Sequence, residues 1–225
     1  MAKYAILSDI HGNLQALQQV HCDLQQFDIC GIILLGDLID YGMQSNEVVE
    51  YVRTKMSDHI ICNIWGNHER AILLSDFTGF SSQRGVDSAK YTAFKLETEI
   101  KKYLETELDC RGFCEFTLDG KKCLAVHGSM ENPFWKSIFP DSVHGDYKSY
   151  DLVFHSKQYL TSRPETHQGS SHSLMMRLKP DQETGAHGLP LKGCVIQTPV
   201  SPDTTKIPAE LFQYYERINE WTETI

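Results

Sequence analysis

The sequence predicts an α/β protein in which helices are layered on a β-sheet. Over the first part of the chain, short apolar runs alternate with amphipathic stretches in the order β-α-β-α-β. A further helix and antiparallel-looking strands then follow. The run at residues 30–40 begins with a continuous apolar stretch, which is typical of a strand buried on both faces. Alternation of this kind predicts a sheet covered by helices.

Each element has its own local signal. Asn13 is a good N-cap for a helix that continues to about Asp23, with apolar side chains at helical spacing. Asp119-Gly120 is a strong turn dipeptide and predicts a hairpin over residues 114–129. The other predicted elements are strands within 4–8, 30–40, 59–69 and 150–154, and helices at 46–55 and 86–108.

The C-terminal part of the sequence has a different composition. Residues 161–210 contain no Phe, Tyr or Trp but hold six of the eight prolines. Such a segment buries little apolar surface, which favours disorder. We therefore expect a folded core over residues 1–158 and an atypical tail over residues 159–225, with one helix at residues 209–221.

Charge and composition argue against several classes of protein. The net charge of −9 argues against a nucleic-acid partner, because such affinity comes largely from Lys and Arg on phosphates. No apolar run of about 18 residues is present, so no membrane-spanning helix is expected. The seven cysteines are odd in number and mostly lie in apolar runs, which favours a reducing compartment. We expect a cytoplasmic protein.

Polar side chains follow the ends of the apolar strands. In open α/β sheets, ligands bind just beyond the carboxyl ends of the strands, so these side chains are expected to face one crevice. The candidates, in chain order, are Asp9 and His11, Gly36-Asp37, Gly66-Asn67-His68-Glu69, His127 and His155.

Carboxylate, imidazole and amide groups in one crevice form a set of metal ligands. Their mixture of oxygen and nitrogen donors suits Mn, Fe, Zn, Ni or Co rather than Ca. One ion rarely needs so many protein ligands, whereas two ions sharing a bridging carboxylate do. A two-metal site fits phosphoester hydrolysis, in which the ions polarise phosphoryl oxygens and lower the pKa of a bound water.

Each cluster also has a simpler explanation on its own. Asp9 and Asn13 are suited to cap the first helix, and Gly36-Asp37 to form an ordinary turn. His68 would be a solvated loop residue and His127 a hydrogen-bonded core residue. These explanations would all have to hold together, each at the end of an apolar strand, so a shared site is the favoured interpretation.

The ordered motifs resemble a known family. Asp9-Ile10-His11, Gly36-Asp37, Gly66-Asn67-His68-Glu69 and His127-Gly128-Ser129 are together similar to the motifs of the calcineurin-like metallophosphoesterases. Residues 36–53 look especially like the small prokaryotic phosphodiesterases of that family. The resemblance implies a four-layer α-β-β-α sandwich with a dinuclear metal centre.

The resemblance also implies a metal-binding role for several residues. Asp9 and His11 would hold the first ion, Asn67 and His127 would hold the second, and Asp37 would bridge the two. The ions would be two divalent transition metals, with Mn, Ni, Fe, Co and Zn as the candidates.

Two further residues are expected to act without binding metal. His68 would lie near the scissile phosphate, where it would stabilise charge or protonate the leaving oxygen, and Glu69 would orient His68. Tyr41 stands where the phosphoprotein phosphatases of the wider family carry Arg, which argues against that type of activity.

The sequence departs from the family pattern after Phe154. The family has Gly-His-x-His at this point, whereas this chain has His155-Ser156-Lys157. His155 would replace the first histidine, a ligand of the second ion, and the first ion would lack one imidazole. Another reading frame of residues 196–209 permits an Asn-Pro-Gly segment that the family carries. We hypothesise that the chain after Phe154 is out of frame; the alternative is a genuinely divergent tail.

The expected function is metal-dependent hydrolysis of small phosphate esters, by a phosphodiesterase or a phosphatase. The alternative is a binding or regulatory protein of the same fold, whose incomplete metal site makes it hydrolytically weak. A nuclease of the same superfamily is disfavoured by the net charge of −9.

Overall fold

Two β-sheets face each other across an apolar layer. The computed structural model describes residues 3–138, 147 and 149–156 and the backbone of residues 175–178. In the first sheet, all strands are parallel and follow the order β1-β2-β3. These strands are β1 (Tyr4–Leu7), β2 (Gly31–Leu34) and β3 (Ile60–Asn63).

The second sheet is mixed and has the strand order β4-β5-β6-β7. Its strands are β4 (Phe113–Leu118), β5 (Lys121–Val126), β6 (Leu152–His155) and β7 (Met175–Leu178). The predicted hairpin is confirmed: β4 and β5 are antiparallel, and both turn residues, Asp119 and Gly120, have positive φ. β6 is parallel to β5 and antiparallel to β7.

Strand β7 lies in the tail, where the sequence predicted no strand. Its backbone pairs with all four residues of β6, from Leu152 to His155. The predicted helix at residues 209–221 lies outside the described residues, as does the segment at residues 196–209.

Five α-helices belong to the part of the chain between β1 and β4. They are α1 (Leu14–Leu24), α2 (Ser45–Tyr51), α3 (Asn67–Leu74), α4 (Gln83–Lys95) and α5 (Thr98–Thr106). The N-cap of α1 is confirmed, because the side chain of Asn13 accepts a hydrogen bond from the N–H of Ala16 at 3.0 Å. Helix α2 continues into a π-helix at Val52–Met56 and a 3₁₀ turn at Ser57–His59.

The prediction of a single helix over residues 86–108 is wrong, because α4 and α5 are separate helices. The chain is extended at Leu96 and Glu97, between the two. Asn46 stabilises this break from outside: its amide donates to the Lys95 carbonyl and its oxygen accepts the Glu97 N–H, each at 3.0 Å. Backbone groups freed by the break are thus satisfied by a side chain that the local sequence does not reveal.

Apolar side chains in the described residues form three cores, which lie on both faces of each sheet. Successive side chains of β2 point to opposite faces, so that Ile32 packs with the helices while Ile33 packs between the sheets with Phe154. On the outer face of the second sheet, Leu124 packs with Tyr147. This arrangement confirms the predicted α/β sandwich with two sheets. No helix in the described part of the chain is long and apolar enough to cross a membrane.

Candidate metal centre

The loops after β1 and β2 run side by side beyond the first sheet. The N–H of Asp9 donates to the Gly36 carbonyl at 3.1 Å, and the N–H of His11 donates to the Asp37 carbonyl at 2.9 Å. These hydrogen bonds extend the pairing of the strands past their ends. They bring the side chains of Asp9, His11 and Asp37 to the same edge of the sheet.

Backbone strain is concentrated in these two loops. Among the described non-glycine residues, seven have positive φ, and five of them lie in these loops. The five are Asp9, His11, Asp37, Asp40 and Tyr41. The left-handed region is sparsely populated by such residues and costs about 1–3 kcal/mol at each position, so it persists where the surroundings enforce it. Such clusters of strain are typical of functional sites.

Two glycines, Gly36 and Gly66, allow the loops after β2 and β3 to touch. A Cβ atom on Gly66 would lie 2.0 Å from Oδ1 of Asp37, and one on Gly36 would lie 2.3 Å from the backbone nitrogen of Gly66. Gly36 also has a φ of +85°. This close approach accounts for the glycine that begins each of the two motifs.

Glu69 joins the same loops from the first turn of α3. Its fully buried carboxylate accepts hydrogen bonds from the N–H groups of Asp37 and Gly66 at 2.8 Å each, Leu38 at 2.7 Å and Ile39 at 3.2 Å. Burial and the charge of Asp37 raise the pKa of Glu69, and the backbone donors oppose that shift. Glu69 therefore holds backbone in place; the described hydrogen bonds connect it to the loops and not to the ring of His68.

The carboxylate of Asp37 lies between two pairs of candidate ligands. Its Oδ2 is 3.8 Å from Nε2 of His11 and 3.4 Å from Nε2 of His127. On the first side, Nε2 of His11 is 3.8 Å from Oδ1 of Asp9. On the second side, Nε2 of His127 is 3.0 Å from Oδ1 of Asn67. The structure thus brings together five of the predicted ligands, from both sheets.

Backbone carbonyls orient the two imidazoles. Nδ1 of His127 lies 2.7 Å from the carbonyl of Leu35, and Nδ1 of His11 lies 3.2 Å from the carbonyl of Ile39. A carbonyl can only accept, so each Nδ1 donates; in a neutral ring, Nε2 then carries the lone pair that a metal ion needs. Metal-binding histidines are usually fixed in this way. The carboxylate, amide and imidazole atoms of this group are therefore suited to bind a metal ion.

The electrostatics of Asp37 also favour a cation. Burial acts to raise its pKa, but the neighbouring imidazoles of His127, His68 and His11 lower it well below the usual range. For His11, burial lowers the pKa, which favours the neutral ring that a metal requires. An ionised carboxylate beside a neutral imidazole is an effective pair of ligands.

Asp40 contacts His68 and was missed in the sequence. Its Oδ2 accepts from Nδ1 of His68 at 2.7 Å, while its Oδ1 accepts from the hydroxyls of Ser88 at 2.6 Å and Thr92 at 2.9 Å. Burial acts to raise the pKa of Asp40, but the hydrogen bond from His68 lowers it. For His68, burial acts to lower the pKa, but the charges of Asp37 and Asp40 raise it. An available signal was the carboxylate three residues after Asp37 in an otherwise apolar run.

A family model for the calcineurin-like phosphoesterases matches residues 2–179. The chain belongs to the calcineurin-like phosphoesterase family. The resemblance inferred from the motifs is thereby confirmed, and with it a metal-dependent phosphoesterase domain at the level of the family.

Individual relatives of this chain are similar to it over part of their length. The uncharacterized protein MJ0912 of Methanocaldococcus jannaschii is 31% identical over 151 residues, which are 67% of this chain and 59% of that protein. The crystal structure of hypothetical protein PH1004 from Pyrococcus horikoshii OT3 aligns with a TM-score of 0.57 at 23% identity, over 70% of this chain and 69% of that one. The structural similarity to PH1004 supports the fold.

A compact group of ligand atoms agrees with the metal dependence of the family. His11, Asp37 and His68 each place one ligand atom within 4.8 Å of the others. The predicted role of His68 was near the phosphate and not on the metal; its distance from His11 and Asp37 is compatible with either position. The number and identity of the ions, and the individual roles of these residues, stay predictions.

His155 is the predicted ligand that the structure does not bring to this group. Phe154 packs between the sheets and Val153 packs on the outer face, so alternation directs His155 outward and Ser156 inward. Ser156 lies level with His127, to whose carbonyl its N–H donates at 3.2 Å. Its hydroxyl donates to the carboxylate of Asp9. Ser156, the first residue after β6, is therefore the one that faces the site at this strand end.

Proposed function

We propose that this phosphoesterase hydrolyses small phosphate esters with a dinuclear metal centre. The observation that carries the proposal is the position of Asp37, whose Oδ2 lies 3.8 Å from Nε2 of His11 and 3.4 Å from Nε2 of His127. A carboxylate with nitrogen donors on both sides is suited to bridge two ions.

The remaining ligands divide between the two ions. Asp9 and His11 would hold one ion, and Asn67 and His127 the other. Oxygen and imidazole donors suit Mn, Ni, Fe, Co or Zn. When bound, the ions would polarise the phosphoryl oxygens and lower the pKa of a water molecule.

His68 would act on the leaving group. Its Nδ1 donates to Oδ2 of Asp40, with 2.7 Å between the two atoms, and this hydrogen bond fixes the orientation of the ring. The charges of Asp37 and Asp40 raise the pKa of His68, which favours the protonated ring, and donation of its proton to the leaving oxygen would be general acid catalysis. The proposed partner is a small phosphomonoester or phosphodiester. The expected cytoplasmic location and the absence of a nucleic-acid partner stay predictions.

A catalytically weak binding or regulatory protein is the second candidate. The observation that favours it is the contact of Ser156 with Asp9. The family pattern has two histidines in this segment, whereas here a serine hydroxyl contacts the carboxylate of Asp9. A serine hydroxyl is a much poorer ligand for these ions than an imidazole.

Metal content and turnover separate the two candidates. The full chain would be loaded with Mn, Ni, Co or Mg in turn, analysed for bound metal, and screened on phosphomonoesters, phosphodiesters and nucleotides. Two ions per chain with turnover supports the hydrolase. One ion or none, without turnover in any metal, supports the weak form. Asp28→Ala, at an exposed position between α1 and β2, is the matched control for Asp37→Ala.

A further inference from the structure

A row of aromatic rings leads away from His68. The ring of His68 lies 4.7 Å from that of Tyr41 and 5.0 Å from that of Phe80, and Phe80 lies 5.6 Å from Trp135. Tyr41 also contacts His11 at 4.9 Å. We call Tyr41, Phe80 and Trp135 the aromatic row. It is continuous with the candidate metal centre.

The three rings converge from distant parts of the chain. Tyr41 follows β2, Phe80 lies between α3 and α4, and Trp135 lies in a turn after β5. All three are partly exposed. Trp135 belongs to none of the three described apolar cores, although Phe80 packs against the first of them.

Local structure nevertheless fixes Trp135 in place. The side chain of Asn132 accepts the N–H groups of Phe134 at 3.1 Å and Trp135 at 3.0 Å, which closes the turn. On the opposite side, a Cβ atom on Gly79 would lie 2.2 Å from Cε2 of Trp135. The indole thus lies directly against the backbone of Gly79, where no larger residue fits without moving it.

We propose that the aromatic row binds the base of a nucleotide whose phosphate lies at the metal centre. The inference rests on the proposed function for the position of the phosphate. Aromatic side chains stack on bases of any sequence, because every base has a π-face. A ring attached directly to the ester oxygen would reach Tyr41 or Phe80, next to His68. Trp135 lies one ring further away, beyond Phe80, and a base is likewise set back from its phosphate by the sugar.

Adenosine 5′-monophosphate and ribose 5-phosphate test this directly, because they share the sugar and the phosphate and the second carries a hydroxyl in place of the base. Their affinities for the Mn-loaded full chain would be measured by calorimetry, together with the turnover of each. We expect the nucleotide to bind about 5- to 150-fold more tightly, the range for one base stacked on an aromatic side chain. Trp135→Ala should remove most of this ratio and leave the affinity for ribose 5-phosphate unchanged.

Two further variants separate stacking from general damage. Gly79→Ala keeps every ring but displaces the indole, so it should lower the ratio as Trp135→Ala does. Phe94→Ala removes an aromatic side chain from α4 that is 82% exposed, and it should leave the ratio unchanged. A ratio that survives both Trp135→Ala and Gly79→Ala would overturn the inference.

The remaining outcomes distinguish this inference from the proposed function. Equal affinities for the two esters, or no binding of the nucleotide, overturn the inference even if both are hydrolysed. A base preference lost in Trp135→Ala, without turnover of either ester, supports the aromatic row and counts against the hydrolase. A larger gain for phenyl phosphate over methyl phosphate than for the nucleotide over ribose 5-phosphate would identify an aryl ester, and would overturn the nucleotide.

Discussion

Replacement of Glu69 by Gln should destabilise the loops that carry the candidate metal ligands. Glu69 is fully buried, and each of its oxygens accepts two backbone N–H groups. Gln has nearly the same shape but carries only one oxygen. Whichever way the amide is turned, two N–H groups lose their acceptor and face another donor.

The expected loss follows from these two N–H groups. A buried polar group without a partner costs about 1–3 kcal/mol, so Glu69→Gln should lower the free energy of unfolding by about 2–6 kcal/mol. The free energy of unfolding of a whole domain is about 5–15 kcal/mol, so the loss is a large fraction of the stability. The loops affected carry Asp37 and Gly66, and metal binding should weaken with them.

Urea unfolding followed by far-UV circular dichroism measures this loss. Both proteins would be kept in chelator, so that bound metal does not contribute to the stability. Glu50→Gln is the matched control, because Glu50 is exposed and pairs with Arg53 on the helix surface; it should cost less than about 1 kcal/mol. A Glu69→Gln protein within about 0.5 kcal/mol of the wild type would refute the argument that these hydrogen bonds hold the loops.

Three other substitutions or treatments have defined outcomes. Asp37→Ala should abolish binding of both ions, and unchanged metal content in elemental analysis would rule out a bridging role. His68→Ala should keep the metals but lower turnover by about 10²- to 10⁴-fold, whereas loss of metal would make His68 a ligand. Cys114, whose pKa is lowered to about 7 by a hydrogen bond from Cys62, should be alkylated by iodoacetamide at pH 7.5 faster than the exposed Cys22, because the thiolate is the nucleophile. Mass spectrometry showing equal rates would contradict that shift.

The part of the site on the first sheet was predictable because it depends on strand ends. Asp9, Asp37 and Asn67 each follow an apolar run almost directly, so strand position alone places them at one edge. Asp40 was not predictable in the same way. Its role depends on Ser88 and Thr92, about fifty residues further along the chain, and no local pattern connects them.

Helix ends and strand faces were less predictable. The break between α4 and α5 depends on Asn46, which lies on another helix. The outward direction of His155 follows from its register with Val126 and from the burial of Phe154 between the sheets. Sequence alone does not tell which face of a strand buried on both sides points toward the other sheet.

The contacts of Asp9 make the two halves of the centre unequal. Its Oδ2 accepts hydrogen bonds from the hydroxyls of both Ser8 and Ser156, which add no nitrogen ligand on this side. The ion on this side would thus depend on Asp9, His11 and the shared Asp37. On the other side, Asn67 and His127 lie 3.0 Å apart within a buried contact between the sheets. Because a partly exposed site loses its ion more readily than a buried, preorganised one, we expect the ion at Asp9 to set the metal concentration that activity requires.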